Sequence, residues 1–153
     1  MTFWEELGSN QVLISSVIGW TAAQLLKTII DMRLNKSFKA ERLVGSGGMP
    51  SSHSSTVCAL TTSAALVYGV SSFEFAICFI LAAVVMYDAM GVRREAGKQA
   101  RLLNLILEQD FLKLDNGVFQ QNLKELIGHT PLQVLAGAIL GIILAFVVDG
   151  YYA

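Results

Sequence analysis

Gly47-Gly48-Met49-Pro50-Ser51-Ser52-His53-Ser54-Ser55 is the stretch around which the chain is organised. Two glycines free the backbone, a proline follows, and small polar residues with a histidine open a long apolar segment. Proline suits the first turn of a helix, where its missing N–H would have no intrahelical partner. The N–H groups of Ser51, Ser52 and His53 are then expected to be orphan donors at the positive end of a helix dipole, which makes an anion site. A histidine in that cradle can give or take a proton near neutral pH. Phosphate is the first ligand to consider. A capped helix start with a histidine at a membrane interface is the other reading of the same residues.

Outward from this stretch the chain is too apolar for an ordinary soluble protein, with 54% hydrophobic and 15% charged residues. Apolar runs at 11–31, 54–70, 73–92 and 131–149 each come near the roughly 20 residues a helix needs to cross the hydrocarbon core. The expected fold class is therefore all-α: a polytopic membrane protein with four transmembrane helices and short interfacial helices in the loop that follows the third. The 153 residues form a single domain. Glu5 and Glu6 stand where a cleavable signal peptide would be basic.

Charge sets the expected orientation. If the four runs alternate across the membrane, all 11 Lys and Arg fall in or beside the loops 32–52 and 91–130. The opposite side carries Glu5, Glu6, Glu74 and Asp149. The positive-inside rule then puts both loops in the cytoplasm and both termini outside. Cys58 and Cys78 lie inside apolar runs without metal-ligand spacing and read as small apolar fillers.

In the first run, Gln24 and Lys27 share a helix face. Lys27 either snorkels to the headgroups or turns inward to hold an anion, and the polar stripe it forms with Gln24 favours the second. The second run is rich in Ser, Thr and Ala, which let membrane helices approach closely, so it belongs in the middle of the bundle. It forms a hairpin with the third run through a tight turn at 69–72. That third run ends in Tyr87-Asp88-Ala89-Met90-Gly91-Val92-Arg93-Arg94. Asp88 can form a structural ion pair with Arg93 or Arg94, or orient one of these arginines toward a phosphate. Residues 94–109 are amphipathic, with Ala96, Ala100, Leu103 and Leu107 at near-helical spacing, and suggest a helix on the cytoplasmic surface. Leu114-Asp115-Asn116-Gly117 breaks the pattern, and 118–127 forms a second short helix.

Thr130 is the expected N-cap and Pro131 the start of the last membrane helix. The only 2 histidines of the chain, His53 and His129, thus both stand at N-terminal helix ends on one side of the membrane, close to a proline. Lys27, Arg93 and Arg94 converge on that side. Gly137 and Gly141 read as a packing seam within the last helix.

These residues resemble the type 2 phosphatidic acid phosphatase and vanadium haloperoxidase superfamily. Its second motif, Pro-Ser-Gly-His, is matched by Pro50-Ser51-Ser52-His53 with Ser for Gly. Its third is matched by His129 followed by Gln133-Val134-Leu135-Ala136-Gly137, with Gln133 where the family has Asp. Over nearly the whole chain the sequence looks like the small divergent branch of that superfamily, whose Gly-Gly-Met-Pro-Ser-Ser-His and Tyr-Asp-Ala-Met-Gly-Val-Arg-Arg signatures it carries. The resemblance implies a phosphomonoesterase acting through a phosphohistidine. His129 is then the nucleophile, His53 the general acid, and Gln133 the group that orients His129. Lys27, Ser51, Ser52, Arg93 and Arg94 would bind phosphate, with Gln24 and Asp88 in support. The family's first motif is absent, with Leu34 and Leu43 where Lys and Arg stand in the family pattern, and Leu123 replaces a further arginine. The implied partners are the bacterial plasma membrane and a phospholipid or polyprenyl phosphate, with self-association left open. No nucleotide, nucleic-acid, cofactor or metal signature is present.

Overall fold

A computed structural model describes residues 2–36, 48–108 and 128–153. The described residues contain six helices and no strand: α1 Phe3–Ser9, α2 Gln11–Asn35, α3 Ser52–Tyr68, α4 Phe73–Met90, α5 Val92–Glu108 and α6 Pro131–Tyr152. The expected turn at 114–117 and short helix at 118–127 lie outside the described residues.

Each apolar run became a helix, with boundaries set by local chemistry. Asn10 caps α2 by accepting from Leu13 N–H, Ser72 caps α4 by accepting from Phe75 N–H, and Thr130 caps α6 as expected. Helices α2, α4 and α6 are long and apolar enough to cross a membrane, α4 in continuity with α5. Helix α3 is different. It has 17 residues, and its Ser and Thr content lowers its apolarity, so by length and composition the described residues hold three candidate spans.

What α3 lacks in apolar length it has in contact. It lies between α6, α2 and α4 and buries Ser52, Ser54, Ser55, Val57, Cys58, Ala59, Ser63 and Ala64. Small side chains permit this, because the neighbouring backbones can come within van der Waals distance. A Cβ on Gly141 would collide with the Ser55 carbonyl oxygen and stand 2.9 Å from Ala59 N. A Cβ on Gly137 would collide with the Ser51 carbonyl oxygen. From the other side, a Cβ on Gly19 would stand 3.0 Å from both the Ala59 Cβ and the Ser55 carbonyl oxygen. Hydroxyls stitch the same interfaces: Ser55 Oγ donates to Gly19 O at 2.8 Å, Ser15 Oγ to Ser63 Oγ at 3.2 Å, and Thr61 Oγ1 to Cys78 O at 3.0 Å. The large apolar side chains of α4 and α6, including Phe79, Ile80, Ile139 and Phe146, point away from the bundle and are exposed. That inside-out arrangement suits a lipid surround, where small residues hold helices together and large ones meet the solvent.

One element, α1, was not among the expected helices. Helix α1 carries a capping box in which Thr2 Oγ1 accepts from Glu5 N–H and the Glu5 carboxylate accepts from Thr2 N–H. It is tied to the far end of the chain by Tyr152 OH, which donates to Gly8 O at 2.9 Å. In α5 the amphipathic pattern read from Ala96, Ala100, Leu103 and Leu107 divides between two sides, and the side chain of Leu107 lies outside the described residues. The buried line is Gly97, Ala100 and Asn104, whereas Leu102, Leu103 and Leu105 are exposed and Ala96 is half-buried. Hydrophobic periodicity marks the apolar stripe without saying whether protein or lipid covers it.

Candidate functional site

The stretch around Pro50 is built as a cap rather than as the first turn of a helix. The Met49–Pro50 peptide is cis, Ser51 is the N-cap of α3, and Ser52 is its first helical residue. Ser51 Oγ accepts from Ser54 N–H at 3.3 Å and from Ser54 Oγ at 3.0 Å. Ser51 N–H donates to the Gln133 carbonyl at 3.0 Å. The expectation of three orphan amides is thereby reduced, because the amide of Ser51 fastens the start of α3 to the first turn of α6. Ser51, Ser52, Ser54 and Ser55 are all buried.

His129 lies just before the Thr130 cap, and its N–H donates to the Ala89 carbonyl at 3.0 Å. The last turn of α4 thus holds the start of α6 in place. Asp88, half-buried, is the residue next to that carbonyl. His129 is 4% exposed and His53 half-buried, and their ring centroids stand 6.3 Å apart with the planes tilted by 47°. The two imidazoles are thus near neighbours at the ends of α3 and α6, placed where both can reach one bound group.

Lys27 completes the same end of the bundle. It is 3% exposed, and its side chain lies against Gly48, where an added Cβ would stand 3.0 Å from Lys27 Cδ. Gly48 has φ +84, a backbone conformation that glycine adopts without strain. The lysine therefore turns inward under the loop that leads to Ser51, as the reading from Gln24 and Lys27 expected. Gln24, one turn deeper, is 5% exposed, and its Oε1 has no hydrogen-bond partner among the described residues.

Gln133 occupies the expected position with a different bonding role. Its Oε1 accepts from Thr130 N–H at 3.0 Å, and its own N–H donates to Thr130 Oγ1 at 3.3 Å. The side-chain oxygen of Gln133 is thus engaged in a capping box at the start of α6. Arg93 and Arg94 fall in the first turn of α5, directly after Gly91, so their backbone follows the end of α4 that anchors His129. Their side chains lie outside the described residues.

Some participants had no sequence signal. The Ala89 carbonyl and the pairing of Ser51 N–H with the Gln133 carbonyl are backbone contacts between distant helices. Gly19 was equally silent, since only its position opposite Ser55 and Ala59 gives it a role. Among the described residues no group of three or more His, Cys, Asp or Glu could hold a metal ion.

Small-residue seams and an outward apolar surface make this a membrane-type helical bundle, with His53, His129, Lys27 and the buried serines gathered at one end. The chain matches the family described as "Divergent PAP2 family" over residues 8–144 and belongs to it. It is also 38% identical over 156 residues to a protein of Bacillus subtilis (strain 168) named "Uncharacterized membrane protein YuiD". That alignment covers 96% of this chain and 99% of the relative. No solved structure matches. The protein is thus a membrane protein of the divergent PAP2 branch, in agreement with the resemblance carried by the two motifs.

Proposed function

We propose that the protein is a lipid-phosphate phosphatase that hydrolyses a phosphomonoester through a phosphohistidine at His129. The observation that carries this reading is the pair of histidines at 6.3 Å, set at the N-terminal ends of α3 and α6 beside a buried lysine. In the first step a ring nitrogen of His129 attacks phosphorus, and the bond from phosphorus to the lipid oxygen breaks. His53 passes a proton to the departing oxygen. In the second step water attacks the phosphorus of the phosphohistidine, His53 takes the water proton, and His129 is released with inorganic phosphate. Lys27, the Ser51–Ser52 turn and the arginines at the start of α5 supply positive charge and donors for the equatorial oxygens.

The reading includes a topology. Four crossings, with α3 as the short inner one, put the termini outside and the site at the cytoplasmic surface, where all the basic residues gather. Helix α5 then lies at that surface with Leu102, Leu103 and Leu105 in the leaflet. A site opening to the inner leaflet suits a phospholipid monoester such as phosphatidic acid or phosphatidylglycerophosphate, with polyprenyl phosphate as the other candidate substrate.

One observation favours a second reading, in which the protein binds or moves a phosphate headgroup without turnover. Gln133 replaces a carboxylate, and its oxygen caps Thr130, so it offers no negative charge to a protonated His129. Phosphate release by the detergent-solubilised protein from a panel of lipid phosphates, with EDTA present and beside His129→Ala, separates the two. Release that disappears in a folded His129→Ala protein while headgroup binding survives supports the enzyme. Binding without release in the unmodified protein supports the second reading.

A further inference from the structure

Phosphate sites are built from donors, and this one contains a misfit. Gln24 Oε1 is an acceptor, in a residue 95% buried by its 5% exposure, with no partner among the described residues. A buried acceptor left without a donor is costly, and each such group in a folded protein calls for a partner. The register between α2 and α3 shows where it sits. Ser15 meets Ser63, Gly19 meets Ser55 and Ala59, and Lys27 meets Gly48. The two helices run antiparallel, so Gln24 falls between the last two contacts, at the level of Ser51 and Ser52. A buried acceptor therefore stands one turn below Lys27, at the height of the serine turn.

We infer that Gln24 makes the site selective for a phosphate ligand that brings its own hydrogen-bond donor, either a P–OH group or a hydroxyl beside the phosphate. This assignment rests on the reading of the Lys27, Ser51 and His129 cluster as a phosphate site. A fully deprotonated anion offers only acceptors, so it leaves Gln24 Oε1 unpaired and sets two oxygens against each other. A ligand with a donor satisfies the group, and a site that must hydrogen-bond its ligand rejects the analogue that lacks the bond far more strongly than an apolar pocket would. Inorganic phosphate and sulfate test the first source of the donor, because they share size and shape while sulfate carries no proton at neutral pH. Glycerol 3-phosphate and methyl phosphate test the second.

The experiment is calorimetric titration of the full chain in detergent with these four anions at neutral pH and matched ionic strength, beside Gln24→Met and Gln24→Glu. The expected result is a preference of at least about ten-fold for phosphate over sulfate, or for glycerol 3-phosphate over methyl phosphate. Gln24→Met, which keeps the volume and removes the strong acceptor, is expected to erase that preference. Gln24→Glu, which keeps an acceptor, is expected to retain it, so the assignment stays testable if one variant fails to fold. Equal affinities within both pairs would mean that a water satisfies Gln24 and would overturn the inference while leaving the phosphate site standing. A preference that persists in a folded Gln24→Met protein would also overturn it. Binding of none of the four by a folded protein would overturn the phosphate-site reading itself.

Discussion

At the scale of the residue, the site depends on side chains held by contacts remote in sequence. Lys27 illustrates this best. An ammonium within a membrane helix is normally drawn to the interface, yet here it is 3% exposed because Gly48 leaves room for its methylenes. Gly48→Ala is expected to push Lys27 aside and to strain a left-handed backbone by about 1–2 kcal/mol. Phosphate affinity measured by titration is expected to fall by about ten-fold or more while the protein remains helical by circular dichroism. His129→Ala belongs to the same scale with the opposite signature: phosphate release is expected to be lost and phosphate binding to be kept.

At the scale of the element, α3 is the piece the others are fitted to. Its buried face is made of Ser, Ala, Val and Cys, and Gly19, Gly137 and Gly141 are the positions where its neighbours come closest. Gly141→Ala is expected to destabilise the bundle by about 1–3 kcal/mol, because its methyl would meet the backbone of Ser55 and Ala59, which cannot rotate away. Gly150→Ala, on the same helix with nothing within 4 Å, is the control and is expected to be neutral or stabilising by up to about 1 kcal/mol. Thermal unfolding of the two variants in one detergent distinguishes them. Helix α5 makes a different prediction. A tryptophan in place of Leu103 is expected to be quenched by brominated lipid, and one in place of Lys98 is not, because Leu103 lies on the exposed apolar side and Lys98 pairs with Glu95 at 2.6 Å on the charged side.

At the scale of the whole molecule, polarity is distributed by face. Gln11 Nε2 donates to Asp149 Oδ1 at 2.7 Å and Tyr152 OH to Gly8 O, so the start of α2 and the end of α6 are fastened together, far along both helices from the histidines. The topology that follows from the basic loops is checked by single cysteines in a Cys58→Ala, Cys78→Ala background. Lys98→Cys is expected to react with a membrane-impermeant maleimide only after the cells are opened, and Ser9→Cys in intact cells. The reverse pattern would place the site outside.

Much of this was legible along the chain. Apolar runs of the right length announced helices because a backbone in lipid must satisfy its own hydrogen bonds. Thr130 and Pro131 marked the start of α6 through cap chemistry that is local. Thr2 and Glu5 carry the same kind of local signal for α1, whose seven residues are too few to show an apolar run. The two histidines were readable as a pair from their matching places at helix starts. The motif residues pointed to the divergent PAP2 branch.

Other features were decided only by the tertiary structure. Periodicity defined an apolar stripe on α5, but contact with the bundle put Gly97, Ala100 and Asn104 inside and left the leucines out. The 6.3 Å between the imidazole centroids, the inward turn of Lys27 and the lack of a partner for Gln24 Oε1 among the described residues are relations between helices. The sequence by itself determined which segments are helical, which side is basic and which residues stand at helix ends, because those follow from local hydrogen bonding and from transfer between water and lipid. Only the packing of α2, α4 and α6 around α3 decided which of those ends meet and which polar atoms are left facing one another, because close approach depends on the shapes of both partners at once.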